Sequence, residues 1–209
     1  MIKLTKRLQA IADMVKCGCV PVDVGTDHGY IPVYLIQNKI CKTAVACDIN
    51  EGPLNSCRLL VSQCGFDDKI KCVLSNGLQS VDDEFDTVII AGMGGELIAD
   101  ILSKAENITS KNIILNPMTH PEIARKWLFD NGFEIIKDIV VADGRHHYSV
   151  FSAEYVGNVG EKKQSDYYLG SITDFSDTEY FEHLLVYLKN KQKSGLDLAD
   201  LIKTIEEKL

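Results

Sequence analysis

The residues best placed to do chemistry lie in one short run, Val22-Asp23-Val24-Gly25-Thr26-Asp27-His28-Gly29. An apolar strand here ends in an acid and turns through glycines. Gly25 permits the sharp turn, and Gly29 lets the following helix begin close to a ligand. A dinucleotide-binding turn would read GxGxxG and stay uncharged for a pyrophosphate. Here Asp27 replaces the second glycine, and Asp23 stands two residues before the first. Two carboxylates repel a pyrophosphate, by several kcal/mol at short range when poorly screened. They suit a cation such as S-adenosylmethionine, with its sulfonium and ammonium groups.

Three further groups follow successive apolar runs. Asp48, in Ala-Cys-Asp-Ile-Asn-Glu, can accept both hydroxyls of a ribose, which fits NAD and S-adenosylmethionine equally; a helix N-cap is the structural alternative. Ile49 offers an apolar face to an adenine. In Ser75-Asn76-Gly77-Leu78, Asn76 can accept from an adenine amino group and Gly77 allows close approach, although Asn-Gly is also a common turn pair. Ala91-Gly92-Met93-Gly94-Gly95 leaves bare backbone beside a Met suited to lining a pocket. Asn116-Pro117-Met118 offers one more polar contact. Ligand-type residues at consecutive strand ends outweigh the structural reading of each one alone.

The elements that must carry these residues alternate regularly. Apolar runs at 20–24, 44–48, 70–74, 86–91 and 111–115 are separated by helical stretches at about 30–38, 53–64, 94–104 and 121–131. This pattern predicts a parallel sheet covered on both faces. Runs 133–141 and 148–155 flank a polar turn and predict an antiparallel hairpin closing the sheet. The result is an α/β, Rossmann-like sheet of the class I methyltransferase type. Leu4, Leu8, Ile11, Ala12 and Val15 predict an amphipathic helix over about 3–16. Its outer face carries Lys3, Lys6, Arg7 and Lys16, either a solvated face or a phosphate-contacting patch. Beyond Gly157 the composition turns polar. Phe181, Leu184, Leu185 and Leu188 mark one helix and Leu198, Leu201, Ile202, Ile205 and Leu209 another, with a break at Ser194-Gly195. The expected division is a domain over 1–157 and a small helical hairpin over 158–209.

The chain has 209 residues, 45% of them apolar, and a formal net charge of −8. The acidic balance counts weakly against a general nucleic-acid binder, because a local basic patch can still engage RNA. No apolar run approaches the ~20 residues of a membrane-spanning helix, and the N-terminus lacks a signal-peptide pattern, so the expectation is a cytoplasmic protein without membrane contact. The seven cysteines fit neither a disulfide framework nor a zinc site and are expected to be buried, reduced thiols; no metal is expected. His120, His146, His147 and His183 are expected at the surface, and Arg145 in the hairpin turn is a candidate RNA contact.

The segments Leu4-Thr-Lys-Arg-Leu8, Asp23-Val-Gly-Thr-Asp-His-Gly-Tyr-Ile-Pro32, Asp48-Ile-Asn50 with Pro53-Leu54, Ser75-Asn-Gly-Leu78 and Ala91-Gly-Met-Gly-Gly95 together resemble the bacterial TrmK family of tRNA (adenine-22-N1)-methyltransferases. The resemblance spans residues 1 to about 156. It implies S-adenosylmethionine as cofactor, tRNA as partner, and methylation of an adenine N1. Carried over by position, Asp23, Gly25, Asp27, His28, Gly29, Asp48, Ile49, Asn76, Gly77 and Ala91 would hold the cofactor, while Gly92 and Met93 border the target base. Asp27 is the candidate for stabilising charge that develops on the base, and Lys3, Lys6, Arg7 and Arg145 are the candidate RNA contacts. A monomer is expected. The competing functions are methylation of a small molecule or protein, nicotinamide-dependent oxidoreduction, and non-catalytic cofactor sensing or tRNA holding.

Overall fold

In the computed structural model, which describes residues 2–209, the alternation resolves into seven strands in one sheet of order β3-β2-β1-β4-β5-β7-β6. Five are parallel: β1 (Pro21–Val24), β2 (Ala44–Asp48), β3 (Ile70–Leu74), β4 (Thr87–Gly94) and β5 (Asn112–Thr119). The hairpin strands β6 (Phe133–Asp143) and β7 (His146–Tyr155) pair antiparallel, with β7 joined to β5. Helices α2 (Tyr30–Gln37), α3 (Glu51–Gln63), α4 (Gly95–Ser103) and α5 (Pro121–Asp130) form the crossovers. β1 and β2 are buried at every position, as strands covered on both faces must be. Two apolar clusters, one on each face of the sheet, contain residues of alternating direction from the same strands: Val22, Val24 and Ile90 on one, Ala46, Ile89 and Ile114 on the other.

Helix α1 (Lys6–Ala12) is shorter than its periodicity predicts. The Thr5 hydroxyl accepts from the Leu8 amide at 3.4 Å and starts the helix there, and residues 13–15 continue as turns that still bury Val15. In the C-terminal region, α7 (Thr178–Lys193) and α8 (Ala199–Glu206) are separated at residues 194–198 as the sequence suggests. A short α6 (Gln164–Leu169), absent from the sequence expectation, precedes them. Phe181, Leu185, Leu188, Leu201, Ile202 and Ile205 pack together with Tyr168 and Leu169 of α6 in a third apolar cluster.

A buried ion pair fastens this helical region to the sheet. Arg125 on α5 and Asp138 on β6 have no exposed side-chain surface, with Nε to Oδ2 at 2.9 Å. Arg125 also donates to the Ser149 hydroxyl at 2.6 Å and to the carbonyls of Tyr167 and Tyr168 at 3.3 and 2.9 Å. Burial opposes the guanidinium charge, but the Asp138 carboxylate outweighs it and holds Arg125 above its usual range. Gly170 is the only residue type that fits above this pair, because a Cβ there would lie 2.0 Å from Asp138 Oδ2.

A second tie forms where Tyr187 of α7 donates to Glu122 at 2.6 Å and Lys191 to the same oxygen at 3.0 Å. His120 Nδ1 lies 3.0 Å from the Tyr187 hydroxyl. His147 is not a surface residue. Its side chain is 13% exposed, between Asp177 at 2.7 Å and Glu179 at 3.1 Å, because the start of α7 folds over β7. The cysteines are all free, but Cys17 is exposed and Cys64 and Cys72 are half-buried, so the expectation of buried thiols holds only for the other four. No helix among the described residues is long and apolar enough to cross a membrane.

Candidate active site

The carboxyl ends of β1, β2, β3 and β4 open into one cavity of about 670 Å³. Its walls include Asp23, Gly25, Asp27 and His28 from the first turn, Asp48 and Ile49 from the second, Asn76 and Gly77 from the third, and Ala91, Gly92 and Met93 from the fourth. Eleven of the twelve residues marked for cofactor and base therefore converge, although they are spread over 71 positions of chain. Gly29 is the exception. It caps α2 with φ +74°, and its missing Cβ leaves room for Cys57 Sγ, which would otherwise be 2.5 Å away.

Local chain geometry sets each group. Gly25 takes φ +73°, and the Met93 methyl packs where a Cβ would stand. Met93 reaches it because β4 bulges at Gly92, where the register against β5 shifts and φ is +83°. The two acids of the first turn diverge. Asp23 is 5% exposed and accepts from the Thr26 hydroxyl at 2.7 Å. Burial pushes its carboxyl up to about 6, with the neighbouring Asp48 charge acting in the same direction against the Thr26 hydrogen bond. Asp27 is 70% exposed at the mouth, 3.7 Å from His28 Nε2, and adopts φ +51°. The pair thus presents one internal and one external carboxylate rather than two side by side.

Asp48 is 8% exposed, and one of its oxygens accepts from the Asn50 amide at 2.8 Å. Asn50, not Asp48, caps α3, so the N-cap alternative for Asp48 fails. Its second carboxylate oxygen remains available to a pair of hydroxyls. Ile49 is 60% exposed beside it. A cavity of this size, with an acid at one end and apolar and glycine walls, fits an adenosine-type ligand.

The residues marked for RNA separate. Arg7 lines the cavity, whereas Lys3, Lys6 and Arg145 do not. Lys6 instead borders a second hollow with Lys137 and Asp13. Asn116 does not line the cavity and is fully buried, so it is not the open polar contact its place at a strand end suggested. Among the cavity residues that the sequence reading did not mark are Tyr30 and Thr26. Tyr30 is 42% exposed at the rim, with its ring 5.4 Å from that of His28, and Thr26 holds Asp23. The signal for Tyr30 was present in an aromatic following the glycine turn, but a helix start can equally bury it.

The sheet order, with an acid next to the end of β1 and another at the end of β2, defines a Rossmann-like methyltransferase. A family described as "Methyltransferase domain" matches residues 4–151. The chain is 35% identical over 156 residues to the Bacillus subtilis tRNA (adenine(22)-N(1))-methyltransferase, covering 73% of this chain and 66% of that one, slightly under two thirds of its length. A Streptococcus pneumoniae protein described as "a putative tRNA (m1A22) methyltransferase", solved with S-adenosyl-L-methionine, superposes with a TM-score of 0.87 at 30% identity, covering 98% and 99% of the two chains. Mycoplasma capricolum TrmK, solved with S-adenosyl-homocysteine, does so with 0.82 at 27% identity over 98% and 96%. The chain belongs to the TrmK family of methyltransferases.

Proposed function

We propose that this protein transfers a methyl group from S-adenosylmethionine to N1 of an adenine in tRNA, at position 22. The observation that carries this reading is the convergence of Asp23, Asp48, Asn76 and Met93, from four strand ends, on one cavity. The relatives named for that reaction support it.

Asp48 would take the ribose hydroxyls and Asn76 the adenine of the cofactor, with Ile49 against the purine face. Bound there, the cofactor supplies an electrophilic methyl on a sulfonium. Asp23, ionised above about pH 6, places negative charge beneath that end of the cavity. Adenine N1 carries a free lone pair at neutral pH, so no residue has to remove a proton to create the nucleophile. Attack leaves a cationic base, and a carboxylate near it stabilises the charge as it develops. Asp27, exposed at the mouth, has that role, and Gly92 and Met93 border the extruded base. The remaining acceleration comes from alignment of N1 with the methyl–sulfur axis.

Lys3, Lys6, Arg7 and Arg145 contact the RNA, with residues 158–209 as an appended unit beside the 1–157 domain. The protein acts in the cytoplasm as a monomer. The experiment is methyl transfer to tRNA transcripts, followed by mapping of the modified nucleotide. N1-methyladenosine at position 22, lost when that adenine is replaced by guanine, is the expected result. Modification elsewhere, or of a small molecule or protein instead, overturns the assignment. Asp27→Asn should lower turnover with cofactor affinity unchanged; wild-type turnover would remove Asp27 from catalysis, and a loss of cofactor affinity alone would make it a cofactor ligand.

A further inference from the structure

Among the described residues, Arg7 is the only lysine or arginine lining the cavity, and it is held more firmly than a surface arginine. Its Nη1 donates to Asn116 Oδ1 at 2.9 Å, its guanidinium carbon lies 5.4 Å from the centre of the Tyr148 ring, and its backbone amide donates to Asp143 at 3.2 Å. Asn116 is fully buried and does not reach the cavity. Its Nδ2 donates to the Ser149 carbonyl at 3.0 Å. Ser149 is fixed in turn, since its hydroxyl accepts from Arg125 at 2.6 Å and donates to Asp138 at 3.1 Å. Both polar ends of Asn116 are therefore used, one on a rigid strand and the other on Arg7.

The order of the strands decides which ligand Arg7 can meet. Neighbouring strands are about 4.8 Å apart. A cofactor whose adenosine end rests at β3 and β2 brings its sulfonium over β1 and β4, so the substrate has to approach from β5 and β7. Arg7 sits over those two strands, bonded to Asn116 of β5 and stacked on Tyr148 of β7, and Asn116 pairs in register with Ala91 of β4. A guanidinium with one edge and one face occupied and its other edge free is a preset fork for an oxyanion. Two oxyanions come near this site, a phosphate of the RNA and the carboxylate of the cofactor's methionine part. The lateral order favours the phosphate.

We propose that Asn116 is a positioning residue that holds Arg7 as the phosphate grip on the substrate side of the site, a refinement that rests on the tRNA reading above. The test is equilibrium binding of unmodified tRNA over a range of salt concentrations, beside S-adenosylhomocysteine binding, for wild type, Arg7→Gln, Asn116→Ala and the double variant. Arg7→Gln should weaken tRNA binding about tenfold and reduce the slope of log K against log salt by about 0.8, one phosphate contact. Asn116→Ala should weaken tRNA binding in the wild-type background and have no further effect once Arg7 is glutamine. S-adenosylhomocysteine affinity should stay within twofold throughout.

Equal losses from Asn116→Ala in both backgrounds would make Asn116 a structural residue and overturn the proposal. A fall in S-adenosylhomocysteine affinity for Arg7→Gln would assign the grip to the cofactor carboxylate and overturn it equally. If Asn116→Ala does not fold, Asn116→Ser keeps a donor on the Ser149 side but is too short to reach Arg7, and should weaken tRNA binding only while Arg7 is present. Because binding is read without methyl transfer, a wild type that shows this pattern yet transfers no methyl would refute the activity and leave the grip standing. Failure of wild type to bind tRNA would refute both.

Discussion

Asp23 should stabilise the cofactor-bound protein at the expense of the empty one, and Asp23→Asn measures the exchange. The carboxyl is 5% exposed and pushed up to about 6 from an ordinary 3.8. That displacement is about 2 pH units, or about 3 kcal/mol at 1.36 kcal/mol per unit. The native state holds the proton to higher pH than the unfolded chain, so between about 3.8 and 6 folding stability falls as pH rises. The penalty is absent below that window and complete above it.

An asparagine keeps an acceptor for the Thr26 hydroxyl but adds an amide donor in a buried place, which returns about 1–2 kcal/mol of the gain. Urea unfolding without cofactor should therefore give a variant-minus-wild-type difference that rises by about 3 kcal/mol from pH 3.5 to pH 7.5, ending about 1–2 kcal/mol in favour of the variant. Titrations of groups that do not interact with Asp23 cancel in the difference. S-adenosylmethionine affinity should meanwhile fall about tenfold, the worth of one such unit. A difference that is flat with pH, or a variant less stable than wild type at pH 7.5, would refute the account of Asp23 as a charge kept buried for the ligand.

Two stability predictions follow from close packing around the site. Arg125→Met leaves the Asp138 carboxylate buried without its partner and should lower unfolding free energy by about 3–5 kcal/mol, while Arg125→Met with Asp138→Leu should recover most of it. Urea midpoints check both, and a single-variant loss below about 1 kcal/mol would mean water reaches the pair. Gly29→Ala places a Cβ 2.5 Å from Cys57 Sγ at φ +74° and should lower stability by about 2 kcal/mol, as well as cofactor affinity. Cys57→Ala should restore part of the loss; no restoration would place the whole cost in the backbone.

The sheet was legible in the sequence because strands buried on both faces must be mostly apolar runs, as the buried stretches of β1, β2, β4 and β5 are, whereas the edge strand β3 is fully buried only at Ile70. The turns that line the cavity were legible because glycine and acid together at a strand end have few structural uses. Neither signal reports side-chain direction. Along β6, burial of Phe133 and Ile135 in strict alternation would point Lys137 inward and Asp138 outward. The register against β7 shifts between Ile135 and Lys137, leaving Ile136 56% exposed and turning Asp138 into the core to meet Arg125.

Asn116 presents the same limit. Its place at the end of β5 was readable, but which way it faces depends on Ser149 and Arg7, 33 and 109 residues away. His147 became a half-buried ion-pair partner only because α7 crosses β7. Periodicity and turn chemistry are local, so the sequence by itself determined the sheet, the turns and the charge of the site. Bulges, burial and long-range polar pairs depend on the assembled neighbours, so only the tertiary structure decided that Asp23 lies inside, Asp27 outside, and Arg7 over β5 and β7.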